Sequence, residues 1–110
     1  MPNLGDRVLA WWPAEDDWFY PGVVCDINGS EFDVQFDDGG RAKVPIAEVR
    51  PLNVTIGNRV FGNWKGGGQY YPGRVASTFG HTLHIDYDDG DKESTSVSMV
   101  RVHREDLDSL

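Results

Sequence analysis

Two stretches of the chain alternate strictly. Apolar Phe32, Val34 and Phe36 are separated by Asp33 and Gln35, and Leu83, Ile85 and Tyr87 by His84 and Asp86. A period of two sends one face of a segment to a core and the other to water, so both stretches are strands. Further strand-like runs lie at 7–12, 19–27, 42–44 and 49–50, and again at 60–64, 71–77 and 93–97. Turn residues punctuate them. Asn28-Gly29 is the strongest hairpin signal, and Asp37-Asp38-Gly39-Gly40 makes the next turn. Pro21-Gly22, inside the second strand, marks an edge or a bulge. Pro45-Ile46-Ala47-Glu48 reads as one helical turn before the closing strand. Gly66-Gly67-Gly68 reads as a flexible loop, because it precedes no helix and lacks the Lys-Ser/Thr end of a phosphate loop.

The pattern occurs twice. Gly5-Asp6-Arg7-Val8 through Trp12 returns as Gly57-Asn58-Arg59-Val60 through Trp64. Tyr20-Pro21-Gly22 returns as Tyr71-Pro72-Gly73, and Phe36-Asp37-Asp38-Gly39 as Tyr87-Asp88-Asp89-Gly90. The offset is 52 at the start (57 − 5) and 51 afterwards (72 − 21), so the first copy's first loop is one residue longer. A repeat of this size means two copies of one small domain. Five short strands in about fifty residues, with a helical turn before the last, describe a strongly bent SH3-like barrel. The expectation is an all-β chain of two tandem five-stranded barrels, at 4–52 and 56–102, with a charged tail at 103–110. The tail carries at most a short amphipathic helix. Only Asn53, Val54, Thr55 and Ile56 separate the copies, so the barrels are expected to pack on each other, with Val54 and Ile56 as candidates for the seam. Units this small are marginal alone.

Composition narrows the partners. The net charge is −8, from ten Lys and Arg against eighteen Asp and Glu. Nucleic-acid binders usually carry a basic stripe, which is missing here, so nucleic acid is an unfavoured partner. An acidic surface steers basic partners. The single Cys25 cannot form an intramolecular disulfide, and its strand-like surroundings fit a small buried hydrophobe. An oxidising compartment is not required, and the expectation is an intracellular protein. No apolar stretch reaches the ~20 residues needed to cross a membrane, and no secretory signal is expected at the N-terminus.

The recurring residues carry the candidate chemistry. Trp12 and Trp64 end the first strand of each copy, Tyr20 and Tyr71 begin the second, and Phe36 and Tyr87 end the third. Asp38 and Asp89 follow in the next turn. In a small bent barrel these strand ends meet at one rim, gathering three aromatic faces and a carboxylate. A methylated ammonium has few N–H donors, so hydrogen-bonding sites hold it poorly. Aromatic faces attract it through their quadrupoles, by about 0.5–2 kcal/mol per ring. The carboxylate adds charge attraction and accepts a bond from any remaining N–H.

The run Arg-Val-x-x-x-Trp, then aromatic-Tyr-x-Gly, then aromatic-Asp-Asp-Gly resembles the Tudor family. Its doubled form resembles a tandem Tudor module, and the Agenet group is a close relative. The resemblance covers nearly the whole chain. It implies a non-catalytic reader of methylated lysine or arginine on a basic, histone-like tail, working in the nucleus without a cofactor, as a monomer or as part of a larger chain. By position, its aromatic cages fall on Trp12, Tyr20, Phe36 and Asp38, and on Trp64, Tyr71, Tyr87 and Asp89. Complete cages in the family often add an aromatic two residues after the second Asp, where this chain has Gly40 and Asp91. Trp11 and Trp18 are candidate extra walls for the first cage, and Tyr70 for the second. The extra tryptophans favour the first copy as the binding one.

Other chemistry is poorly represented. Asp86, Asp88, Asp89, Asp91 and Glu93 recur like a calcium loop, but Gly90 stands where a ligand belongs and Asp91 where glycine belongs. His81, His84 and His103 lack zinc spacing. No nucleophile–base arrangement marks an enzyme. The alternative to a reader is a scaffolding pair of barrels with degenerate cages, whose rim aromatics serve packing.

Overall fold

The structure is a computed structural model that describes residues 2–15 and 17–110. It divides into two compact units, the second comprising Val54–Leu110. In the first, β1 (Arg7–Trp11), β2 (Trp18–Asn28), β3 (Glu31–Phe36), β4 (Arg41–Pro45) and β5 (Val49–Pro51) form antiparallel neighbours in the order β4-β3-β2-β1-β5. In the second, β6 (Arg59–Asn63), β7 (Tyr70–Phe79), β8 (Thr82–Tyr87), β9 (Lys92–Ser96) and β10 (Val100–His103) repeat that order as β9-β8-β7-β6-β10. Each unit is therefore a five-stranded SH3-like barrel.

Alternation sets the core. Phe32, Val34 and Phe36 of β3 are buried, and Asp33 and Gln35 are not. They pack with Val8, Ala10, Val24, Val44 and Val49. In the second unit Leu83, Ile85 and Tyr87 are buried beside Val60, Val75, Val97, Val100 and Val102 as core residues. Each side chain of this size contributes about 1.5–3 kcal/mol when fully buried.

The long second strand must cross a tight place. A Cβ on Gly22 would come within 2.8 Å of the Gln35 carbonyl oxygen, and one on Gly73 within 2.8 Å of that of Asp86. Glycine at these two positions lets β3 and β8 approach closely. β2 and β7 then bulge, between Val24 and Asp26 and between Val75 and Ser77, which bends the sheet. Half-buried Cys25 lies at the first bulge and donates its S–H to the Asp33 carbonyl at 3.3 Å.

One ion pair recurs in both units. Arg7 makes a two-pronged contact with Asp37, and Arg59 makes the same contact with Asp88. The first Asp of each Asp-Asp-Gly turn is thus tied to the first strand, and the second Asp is left at the rim. The hydrogen bonds from Arg59 hold the Asp88 carboxyl below the usual carboxylate range.

Two features of the second unit add to the sequence expectations. The glycine-rich loop opens on a kinked turn at Trp64–Gly66, in which Lys65 takes a left-handed conformation (φ 52) and the Gly67 N–H donates to the Trp64 carbonyl at 3.0 Å. The tail belongs to the second unit. Its 3-10 helix Arg104–Ser109 buries Leu107, and the Ser109 carbonyl accepts a bond from buried Asn58 at 3.0 Å. Ile56, a candidate for burial, is 63% exposed.

The copies also differ in a coordinated way. Ala10, Phe36 and Ala42 of the first unit correspond to Gly62, Tyr87 and Glu93 of the second. A Cβ on Gly62 would sit 2.2 Å from the Tyr87 hydroxyl, so the phenol needs the space that glycine leaves. The hydroxyl donates to Glu93 Oε2 at 2.7 Å.

Two outcomes follow. Gly62→Ala destabilises the protein by roughly 1–3 kcal/mol through overpacking. Adding Tyr87→Phe recovers part of that loss, because Ala beside Phe is the first unit's own solution; chemical denaturation of both single variants and the double variant reads the coupling. Strictly additive losses would contradict the steric account. The ion pair adds a pH dependence. Asp88 has a lower pKa folded than unfolded, so its stabilisation is present above about pH 4 and is lost as pH falls through the folded value. Asp88→Asn therefore flattens the acid limb of urea midpoints measured between pH 7 and pH 3; an unchanged limb would show that the pair carries no stability.

Candidate functional site

At the rim of the second unit, Trp64, Tyr71, Tyr87, Asp89 and Asp91 line an open recess of about 170 Å³. The strands explain the convergence. Trp64 follows β6 directly, and its N–H donates to the Gln69 carbonyl just before β7. Tyr71 lies opposite Gly62 in the β6–β7 register, and Tyr87 lies opposite Gly73 at the end of β8. The turn from β8 to β9 then brings up the two carboxylates. Asp89 Oδ1 accepts the Asp91 N–H at 3.0 Å, which fixes one carboxylate against the backbone of the other.

The three rings play different parts. Tyr71 is 40% exposed and forms the outer wall. Its hydroxyl donates to Gln69 Oε1 at 2.8 Å. Tyr87 is 5% exposed and stands edge-on to Trp64, with centroids 5.4 Å apart and planes at 87°. Such a T-shaped contact suits the charge distribution of both rings and steadies Trp64. Burial, followed by the hydrogen bond to Glu93, pushes the Tyr87 phenol pKa up, so it remains a neutral donor. The other oxygen of Glu93 accepts the Lys65 N–H at 2.9 Å. One carboxylate thereby joins the Trp64-Lys65 turn to the ring on which Trp64 rests. The Lys65 ammonium lies 5.1 Å from the Trp64 ring centroid, in the geometry of a cation–π contact.

The first unit brings its counterparts together differently. Trp12 stands edge-on to Phe36 at 5.1 Å and 83°. Sequence reasoning puts Phe36 at the rim as a cage wall; the structure buries it to 2% exposure within the core, beneath Trp12. Its ring meets Trp12 in the same T-shaped contact that Tyr87 makes with Trp64. Tyr20 is half-buried, and its hydroxyl donates to Glu15 Oε2 at 3.1 Å. Asp38 Oδ1 accepts the Gly40 N–H at 3.0 Å. A Cβ on Gly40 would lie 3.2 Å from the edge of the Trp12 ring. Trp12 therefore leans over Gly40, where the second unit carries Asp91.

The proposed extra walls have other partners. Tyr70 has the Arg101 guanidinium 4.2 Å from its ring centroid, and it does not line the recess. Trp11 packs against the first unit's core. Trp18 is half-buried, and its carbonyl accepts the Trp12 N–H at 3.2 Å. Sequence reasoning did not assign Asp91 or Glu93 to the site. Their signal was available as departures between the copies, Asp91 for Gly40 and Glu93 for Ala42. Among the described residues no group of three His, Cys, Asp or Glu side chains is arranged to hold a metal ion.

Comparison with known proteins agrees with this architecture. Residues 4–52 match the family model for the Tudor domain of the DNA repair protein Crb2. No curated protein sequence matches the chain. The crystal structure of the Crb2 tandem tudor domains superposes on the whole chain, with a TM-score of 0.75 and 16% identity, and the match covers 87% of that chain. The second unit repeats the first strand for strand and shares the aromatic-Asp-Asp-Gly turn. The first unit matches the Tudor family by sequence, and the chain as a whole has the fold of tandem tudor domains.

Proposed function

We propose that this module is a non-catalytic reader of methylated basic tails, with the recess of the second unit as its principal site. The observation that carries the reading is the convergence of three aromatic rings and two carboxylates on one open recess of about 170 Å³. That lining suits an organic cation. It offers ring faces for methyl groups and carboxylates for charge, and a protein of net charge −8 attracts basic segments at longer range. A methylated lysine or arginine side chain on a histone-like tail fits this chemistry, and such a partner would place the protein in the nucleus. The first unit contributes a second aromatic rim at Trp12 and Tyr20, where the Trp12 ring edge lies against Gly40.

Tyr71→Ala tests the reading with little risk to the fold, because Tyr71 is a rim residue with no core role. Each ring supplies about 0.5–2 kcal/mol, so its loss weakens binding of a methylated peptide about 2- to 30-fold. Trp64→Ala lowers affinity at least as much, whereas Trp12→Ala leaves the peptide-induced NMR shifts of the second unit in place. Unchanged affinity in both Tyr71→Ala and Trp64→Ala would overturn the proposal and favour a scaffolding role.

A further inference from the structure

The second unit carries one feature that a simple aromatic cage does not require, a second carboxylate. Asp91 occupies the wall where the first unit has Gly40, and it lines the recess together with Asp89. Among the described residues no side chain forms an ion pair or hydrogen bond with the Asp91 carboxylate. The basic neighbours are committed elsewhere. Arg59 holds Asp88, and Lys92 pairs with Asp86 at 3.7 Å. Glu93 is occupied by Tyr87 and the Lys65 N–H. Lys65 lies over the Trp64 ring, 5.1 Å from its centroid, but among the described residues it forms no ion pair with Asp89 or Asp91, so two negative charges face the recess without a salt-bridged protein cation.

Resting on the proposed function, we infer that Asp89 and Asp91 together make this recess selective for cations that offer at least two N–H donors. The argument is a count of donors. A trimethylated ammonium has none, and a dimethylated ammonium has one, which a single carboxylate satisfies. A monomethylated ammonium has two, and a methylated guanidinium has more, arranged in a plane. With a dimethyl or trimethyl ligand, at least one carboxylate would face methyl groups and lose water without gaining a hydrogen bond, which is costly.

Asp91 is thus a specificity-determining residue, while Tyr71, Trp64 and Tyr87 supply general affinity. Among methylated side chains two classes satisfy the count, monomethyl-lysine and methylated arginine, and separate arms of the experiment tell them apart; unmodified lysine and arginine also satisfy it but offer no methyl group to the aromatic faces. Calorimetric titration uses the intact chain with one basic peptide carrying mono-, di- or trimethyl-lysine, or dimethylarginine, at the same position. The expected result is at least about 10-fold tighter binding of the monomethyl-lysine or dimethylarginine peptide than of the trimethyl-lysine peptide, the size of one charge-assisted hydrogen bond. Asp91→Asn shrinks that ratio, and Asp91→Tyr shifts preference toward higher methylation. Binding of all four peptides with equal affinity, or a ratio unchanged in Asp91→Asn, would overturn this inference while leaving the reader proposal intact. If no methylated peptide binds at millimolar concentration, both fall.

Discussion

The rim of the second unit depends on how one phenol is held. Tyr87 ends the core alternation of its strand and points its hydroxyl into space left by Gly62, where Glu93 accepts it. With the ring fixed, Trp64 has an edge-on partner on which to stand. The second oxygen of Glu93 secures the turn that carries Trp64, through the Lys65 N–H. The recess is therefore built on a half-buried hydrogen bond beneath its floor. Such a bond is costly to leave half-made, because an orphaned carboxylate or phenol in a core loses its water.

The two units show alternative solutions to one packing problem. The first uses Ala10, Phe36 and Ala42, an apolar set without a phenol to satisfy. The second uses Gly62, Tyr87 and Glu93, with a smaller residue making room for a larger one and a carboxylate answering the new hydroxyl. The same asymmetry reaches the rim. Gly40 lets Trp12 lean over the turn, and Asp91 places a charge at the corresponding point. Two barrels of one fold thus present different surfaces to a ligand.

Much of the fold was legible in the sequence because the repeat doubled every signal. Alternation at Phe32–Phe36 and Leu83–Tyr87, the Asn28-Gly29 hairpin and the helical turn at Ile46–Glu48 all rest on local chemistry. Phe36 was harder. A strand-end aromatic serves equally as floor or wall, and only its burial in the folded barrel decides. The contact that ties down the glycine-rich turn was hidden for a related reason. The turn's order comes partly from Glu93, 28 residues away, and no local pattern reports such a contact. Arg7 with Asp37 and Arg59 with Asp88 recur in both copies, but each partner lies on a different strand or turn. What the repeat left unread were its mismatches, and those mark where the second unit builds its recess.

The most direct measurement is a set of intermolecular NOEs between the N-methyl protons of a bound monomethyl-lysine peptide and the aromatic protons of the isotope-labelled chain. The account predicts contacts to the rings of Trp64 and Tyr71, with the Asp89 and Asp91 amides shifting on titration. Contacts confined to Trp12 and Tyr20, or saturation without any NOE to Trp64 and Tyr71, would contradict it.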